Sequence, residues 1–244
     1  MTATIRLLYH LSSLPASMSF GRELYPLVFV DVALFRVGEE RLQVLLAQRA
    51  QEPQIRQWGL PGGILRPAID SSLEAAARRV LRDKVTVDLP HLEDICTFSG
   101  PGRDPRGWSI SILFCALLPG DQVNAVVRSK VEAVEWVNPA SPGHRMAFDH
   151  SAQLEKALTT LKQKVERRLL PLHLMPPKFT LMQLQRTCEA ILGRPLDKTA
   201  FRRRVLPDRE DRKPDIVEIG EKLEGRPERP AQLYKARDDF SFTE

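Results

Sequence analysis

The sequence has few cysteines, and none of them are paired at metal-binding spacing. Its 244 residues include three cysteines, Cys96, Cys115 and Cys188, which lie far apart and are odd in number. Because no Cys-x-x-Cys pair is present, neither a zinc knuckle nor a disulfide framework is indicated. Reduced thiols are the simple interpretation, and they fit a reducing cytosol.

Long apolar runs are also missing. The segment from Met1 to Ser19 contains leucines, but His10 and several serines interrupt them, so it makes a poor signal peptide. No stretch approaches the ~18 consecutive apolar residues of a membrane span. We therefore expect a soluble cytoplasmic protein with no membrane partner.

Positive charge is in mild excess and is concentrated in one region. The formal net charge is +5, and residues 169–206 alone hold seven Lys/Arg against two Asp/Glu. A patch of this kind is a candidate surface for nucleic-acid phosphates. A solvated charged face is the other interpretation.

The first part of the chain mixes strand and helix patterns. Apolar or alternating segments predict strands over 27–35, 41–48, 95–98, 108–118 and 131–137. Apolar residues repeated every three or four positions predict helices over 72–82 and 151–168, and glycines predict a loop over 58–63. Prolines 171, 176 and 177 then interrupt any helix. The predicted organisation is an extension over 1–24, an α/β domain over 25–168, a linker over 169–178 and a second domain over 179–244.

The second domain begins with two short helices. Thr180 and Gln183 form a Thr-x-x-Gln capping pattern, and Gly193 is placed to end the first helix. Asp197 is placed to cap a second helix over 198–205, with Phe201 and Val205 facing inward. Two helices joined by a short turn, with a basic outer face on the second, predict a helix-turn-helix.

A hairpin after these helices predicts a wing. Its strands are expected near 216–219 and 231–234, with a charged segment between them. The interpretation as a small interaction domain with a solvated basic helix stays open. The predicted DNA contacts of the winged helix are Lys198, Thr199, Arg202, Arg203, Arg204, Arg226 and Arg229.

Residues 62–84 resemble the Nudix box, and Trp58 to Gly63 is the sharpest part of the likeness. In that family the glycine loop approaches a diphosphate, and helix carboxylates hold a divalent metal. Aligned on Arg79, the next glutamate position holds Val80 and the paired glutamates become Asp83 and Lys84. The upstream glutamate position falls on Ser71, so one of four acidic positions survives. We therefore predict a site with no metal and no catalytic residues.

A disabled pocket of this kind can still bind a nucleotide if cations replace the metal. Arginines make bidentate contacts to phosphate, and the turn from Arg103 to Trp108 places two of them beside an aromatic ring. A charged surface turn is the competing interpretation. The candidate effector-binding residues are Arg49, Gly62, Gly63, Arg66, Arg103, Arg106 and Trp108.

The two domains together resemble the Nudix-related transcriptional regulators. The likeness covers most of residues 25–237 and includes the Ala147-Phe148-Asp149-His150 and Phe201 to Val205 segments. It implies an α/β fold, with an N-terminal Nudix-type α/β/α sandwich, a mixed sheet and a C-terminal winged helix-turn-helix domain. It further implies a homodimer on a palindromic double-stranded operator, repression of NAD-biosynthesis genes, and ADP-ribose or a related nucleotide as effector rather than a cofactor.

Two other functions remain open on the sequence alone. An ADP-ribose pyrophosphatase would need carboxylates that the box lacks. An RNA- or protein-binding adaptor would use the same scaffold, but a single-stranded RNA binder would want exposed aromatics, and few are present near 198–204.

Overall fold

The larger of two sheets is built around a long apolar strand, β1 (Leu27–Gly38). The computed structural model describes residues 25–85, 92–119, 131–167, 171–206, 214–223 and 230–238. The other elements of the first domain are β2 (Arg41–Arg49), β3 (Trp58–Gly59), β4 (Gly62–Ile64), α1 (Leu73–Val85), β5 (Leu92–Gly100), β6 (Ser109–Leu118), β7 (Val131–Val137) and α2 (His150–Glu166).

Within the described residues, seven strands form one mixed sheet. The strand order is β3-β2-β1-β6-β5, with β4 also paired to β1 and β7 also paired to β2. Strand β1 runs parallel to β6 and antiparallel to β2 and β4. A central strand with a parallel neighbour is usually covered on both faces, which explains its nearly continuous apolar sequence.

The two faces of the sheet carry separate layers of core. Alternate residues of a strand point to opposite faces. Val32 and Leu34 belong to a cluster that includes Val80 of α1, whereas Phe35 belongs to a cluster that includes Leu161 of α2. The sheet therefore lies between two helices, and the predicted α/β/α sandwich with a mixed sheet is confirmed.

The segment predicted as a glycine loop is part of the sheet. Gly62–Ile64 pairs with β1, Trp58–Gly59 pairs with β2, and the Val32 backbone N–H donates to the Pro61 carbonyl at 2.9 Å. The prediction of an unpaired loop was wrong because the backbone between the glycines lies close enough to β1 to join its hydrogen-bond ladder.

In the second domain, both helices begin at the capping residues that the sequence predicts. Its helices are α3 (Leu181–Leu192) and α4 (Lys198–Val205), and strands β8 (Phe179–Thr180), β9 (Ile216–Leu223) and β10 (Ala231–Ala236) pair in the order β8-β10-β9. Thr180 and Gln183 form the capping box. Gly193 ends α3 with a φ of 72°, a conformation that favours glycine. Asp197 caps α4 through the Ala200 N–H at 2.7 Å. The predicted winged helix is confirmed.

The two domains share one hydrophobic core. Residues 171–178, predicted as part of a linker, contain a short 3-10 helix, and its Leu172 and Leu174 are buried in the cluster that also holds Leu161 and Leu184. An ion pair between Arg186 of α3 and Glu40 lies at the same junction. The winged helix is thus packed directly against the α2 face of the first domain.

No helix in the described ranges is long and apolar enough to cross a membrane.

Candidate functional site

A cleft of about 210 Å³ opens beside the glycine loop of the first domain. Its floor includes Asp31, Gly62 and Gly63, and the rings of Phe29 and Phe148 form part of its wall. Its lining also includes the cationic side chains of Arg49, Lys84, Arg103 and Arg106. Glycine backbone, two aromatic rings and several cations suit a phosphate-bearing ligand with an aromatic or sugar group.

The two glycines at the floor of the cleft have too little room around them for a Cβ atom. A Cβ added at Gly62 would lie 1.7 Å from Oδ1 of Asp31, and one added at Gly63 would lie 2.9 Å from Cγ2 of Val80. The first distance is far below any van der Waals contact. Glycine therefore allows the loop to pass directly over the buried Asp31 and remain accessible from the cleft.

His150 holds this loop from the start of α2. Its Nδ1 accepts a hydrogen bond from the Leu60 backbone N–H at 3.0 Å, and the ring is buried. Burial lowers the pKa of His150, and the nearby carboxylates of Asp31 and Asp149 only partly oppose this effect. The neutral ring leaves Nδ1 able to accept the hydrogen bond.

A polar network joins the cleft to the first turns of α2. Arg103 donates to both carboxylate oxygens of Asp149, each at 2.9 Å. Gln153 donates to Asp149 at 2.9 Å and to Asp31 at 3.2 Å, and Ser111 also donates to Asp31. Burial opposes ionisation of Asp149, but the hydrogen bonds from Arg103 and Gln153 outweigh it, so the pKa of Asp149 lies below its usual value.

Two further arginines of the cleft lie against its aromatic rings. Arg106 is held by Asp104 at 2.6 and 2.9 Å, and its guanidinium lies 5.1 Å from the centre of the Phe29 ring. The Arg49 guanidinium lies 4.8 Å from the centre of the Phe148 ring. Burial, and then the positive charge of Arg106, lower the pKa of Arg49. Because the two cations repel each other, an anion bound near them would be favoured.

A second candidate surface is the outer face of α4. Lys198, Thr199, Arg202 and Arg203 are exposed, whereas Phe201 and Val205 are buried. These two side chains fix the helix against the core, so the basic face points away from it. This is the arrangement in which a recognition helix meets a DNA groove.

The comparisons with known proteins cover both domains. The NUDIX domain model matches residues 28–159, and the model of the NrtR DNA-binding winged helix domain matches residues 171–236. The ADPR responsive transcriptional repressor NtrR of Acinetobacter baylyi is 39% identical over 219 residues, 89% of this chain and 85% of its own length. The chain belongs to the NrtR family.

Solved structures of the same family agree. The crystal structure of Shewanella oneidensis NrtR complexed with a 27mer DNA matches with a TM-score of 0.74 and 34% identity, covering 86% of this chain and 93% of that one. The NUDIX domain of the same NrtR complexed with ADP ribose matches with a TM-score of 0.53 and 36% identity, covering 56% of this chain and 89% of that one.

Within this NrtR family member, the acidic residues around the Nudix box are not arranged around a metal. Asp83 is half exposed, 3.8 Å from Arg79, and does not line the cleft. Asp70 binds Arg79 through both oxygens at 2.7 and 2.8 Å, and this hydrogen bonding lowers the pKa of Asp70 to about 2. In the described part of the chain, no group of three or more His, Cys, Asp or Glu residues is placed to hold a metal ion. The donor set therefore does not fit the metal that the Nudix fold commonly carries.

The structure brings together most of the predicted effector contacts. Arg49, Gly62, Gly63, Arg103 and Arg106 line the cleft. Arg66 and Trp108 do not: Arg66 is exposed and its backbone N–H donates to Asp70 at 2.7 Å, while Trp108 is 46% exposed just before β6. These two assignments stay predictions without support from the cleft geometry.

Sequence reasoning missed several cleft residues. Phe29 and Asp31 were seen only as parts of a strand, Lys84 only as a box position that has lost its glutamate, and Phe148 and His150 only as part of a family motif. The sole signal for His150 was its place in the Ala147-Phe148-Asp149-His150 segment, since its partner Leu60 is 90 residues away.

The predicted DNA contacts differ in how exposed they are. Arg204 is half-buried, with its guanidinium 5.6 Å from the centre of the Phe201 ring, unlike the exposed Arg202 and Arg203. Its orientation differs because it stands beside the inward-facing stripe of α4. Arg226 and Arg229 lie outside the described residues.

Proposed function

We propose that this protein is a cytoplasmic transcriptional repressor whose winged helix binds operator DNA and whose Nudix domain senses ADP-ribose or a related nucleotide. As the family resemblance implies, the regulated genes belong to NAD metabolism and the DNA-bound form is a homodimer. The observation that carries the proposal is the pairing, in one chain, of a cationic Nudix cleft with an exposed basic recognition helix.

The DNA-binding part of the proposal rests on α4. Its exposed Arg202 and Arg203 can make bidentate contacts to guanine or charge-assisted contacts to phosphate. The DNA complex of the Shewanella relative, which matches 86% of this chain, supports the same role for the winged helix.

The sensing part of the proposal rests on the cleft. Its glycine floor and its arginines provide contacts for a diphosphate, and Phe29 and Phe148 provide apolar surface. The Acinetobacter relative is an ADPR responsive repressor, and the Shewanella NUDIX domain has been crystallised with ADP ribose. Both relatives support this nucleotide as the effector.

We further propose that the domain senses ADP-ribose without hydrolysing it. The box position after Arg79 is Val80, Asp83 does not line the cleft, and Asp70 is engaged by Arg79. Without carboxylates on the cleft side of α1, a divalent metal lacks its usual oxygen ligands there.

The test is fluorescence anisotropy on labelled fragments from the gene's own upstream region. The parent should bind one fragment with strong salt dependence, and ADP-ribose should change that affinity in a saturable way. Arg203→Ala should weaken specific binding by about 1–3 kcal/mol. The matched control is Arg82→Ala, which removes an exposed arginine from α1 on the far face of the sheet and should bind like the parent.

Two results would contradict the proposal. Equal binding of the parent and Arg203→Ala to all fragments at ~150 mM salt, where phosphate contacts are partly screened, would exclude the winged-helix role. Hydrolysis of ADP-ribose with Mg²⁺ faster than ~1 s⁻¹, abolished by Asp83→Asn, would instead favour a pyrophosphatase.

A further inference from the structure

Among the described residues of helix α1, Lys84 is the one that lines the cleft. It follows Val80 by one helical turn, so the two side chains lie on the same face of α1. Val80 lies directly beneath Gly63, since a Cβ added to that glycine would lie 2.9 Å from Cγ2 of Val80. Lys84 accordingly lines the cleft together with Gly62 and Gly63.

Its neighbours in sequence point elsewhere. Arg82 is exposed, and Asp83 is half exposed beside Arg79, with neither lining the cleft. In the Nudix pattern the position of Lys84 belongs to a glutamate, which would face the ligand through a metal. Here the same position carries an ammonium group, which has three hydrogen-bond donors and no capacity to ligate a cation.

We propose that Lys84 replaces the divalent metal of the Nudix fold, contacting the diphosphate of the bound nucleotide directly, so that binding requires no metal. This inference rests on the proposed function, since it takes ADP-ribose as the ligand of the cleft. A metal contributes positive charge only while it is bound. In this chain the ammonium group of Lys84 carries that charge as a permanent part of α1. Lys84 approaches the diphosphate from the α1 side of the glycine loop, whereas Arg103 and Arg106 belong to the segment between β5 and β6.

The experiment is isothermal titration of the full-length protein with ADP-ribose, in EDTA and again with Mg²⁺. The parent should bind equally well in both. Lys84→Gln should bind about 10- to 100-fold more weakly in both, the range expected for loss of one charge-assisted contact. Lys84→Glu should bind more weakly still in EDTA and should recover part of its affinity with Mg²⁺, because the carboxylate provides an oxygen ligand.

The matched control is Arg82→Gln, which removes one positive charge two residues away and should bind like the parent. A thermal melt of each variant without ligand separates folding from binding, because a loss of affinity is attributed to binding only where the variant is folded at the titration temperature. A second ligand, AMP, has no diphosphate, so Lys84→Gln should weaken its binding less than that of ADP-ribose.

The inference and the proposed function fail in different ways. If the parent binds ADP-ribose and Lys84→Gln binds equally well, or if EDTA abolishes binding by the parent, the role of Lys84 is excluded and the sensing function stands. If the folded parent binds no ADP-ribose with or without Mg²⁺, both are excluded.

Discussion

The Nδ1 atom of His150 accepts a hydrogen bond from the backbone N–H of Leu60 at 3.0 Å, across 90 residues of sequence. This bond ties the first residue of α2 to the glycine loop at the floor of the cleft. Further along α2, Leu161 belongs to the core cluster that includes Leu184 of the winged helix. One helix is therefore in contact with both the glycine loop of the cleft and helix α3 of the winged helix.

Replacing His150 should test the first of these links. His150→Leu removes the acceptor and leaves the buried Leu60 N–H unpaired, so we expect the free energy of unfolding to fall by about 1–3 kcal/mol. His150→Asn is the matched control because its Oδ1 can take the place of Nδ1. Urea unfolding of the three proteins measures the difference. An equal loss in both variants would show that ring packing, rather than the hydrogen bond, holds the loop.

The pH dependence of the free energy of unfolding should reflect the buried imidazole ring of His150. Burial lowers the pKa of His150 from its ordinary value of 6.5, so the unfolded chain takes up the proton at a higher pH than the folded one. The free energy of unfolding should therefore fall as the pH drops below about 6.5, by at most about 1.4 kcal/mol per pH unit. The slope should fade out over about one pH unit above that value, as the unfolded histidine loses its proton. Urea unfolding between pH 5 and 7.5 should show a shallower slope for His150→Asn, and identical slopes would contradict a buried neutral histidine.

Gly62 should be the least replaceable glycine of the cleft. In Gly62→Ala the new Cβ would have to displace Asp31, which is buried and bonded to Ser111 and Gln153. Overpacking of this kind costs about 1–3 kcal/mol, and the shifted loop should also lose ADP-ribose affinity. Gly102→Ala is the control, since a Cβ there meets nothing within 4 Å. Thermal melting and nucleotide titration of both variants check the prediction, which fails if they behave alike.

The parts of the fold that the sequence predicted well depend on contacts between near neighbours. Thr180 and Gln183 are three residues apart, and Asp197 caps the N–H of Ala200, so the starts of α3 and α4 could be placed to the residue. The site depends on distant pairs instead. Nothing near His150 in the sequence specifies Leu60 as its partner.

The same distinction explains the wrong prediction of an unpaired loop over residues 58–63. Whether residues 58–63 join the sheet depends on β1 and β2, which a local pattern does not contain. The ion pair between Asp70 and Arg79 likewise depends on how the loop before α1 is folded, which the sequence spacing does not contain.

The shared core predicts that the two domains unfold together. Leu184 of α3 is fully buried in the cluster that includes Leu161 of α2, so Leu184→Ala should cost about 2–5 kcal/mol. All three tryptophans, Trp58, Trp108 and Trp136, lie in the first domain, whereas the substitution lies in the second. Tryptophan fluorescence therefore reports on a domain that the substitution does not touch directly.

We expect the fluorescence transition of Leu184→Ala to shift to lower temperature and to coincide with the loss of helical circular dichroism. Met182→Ala is the matched control on the same helix, because Met182 is 48% exposed and its truncation leaves no core cavity. If the domains were independent, the winged helix of Leu184→Ala would melt first and the fluorescence transition would stay at the parent temperature. Coincident transitions would instead mean that α2 and α3 belong to one cooperative unit, so that a ligand bound near His150 would stabilise both domains together.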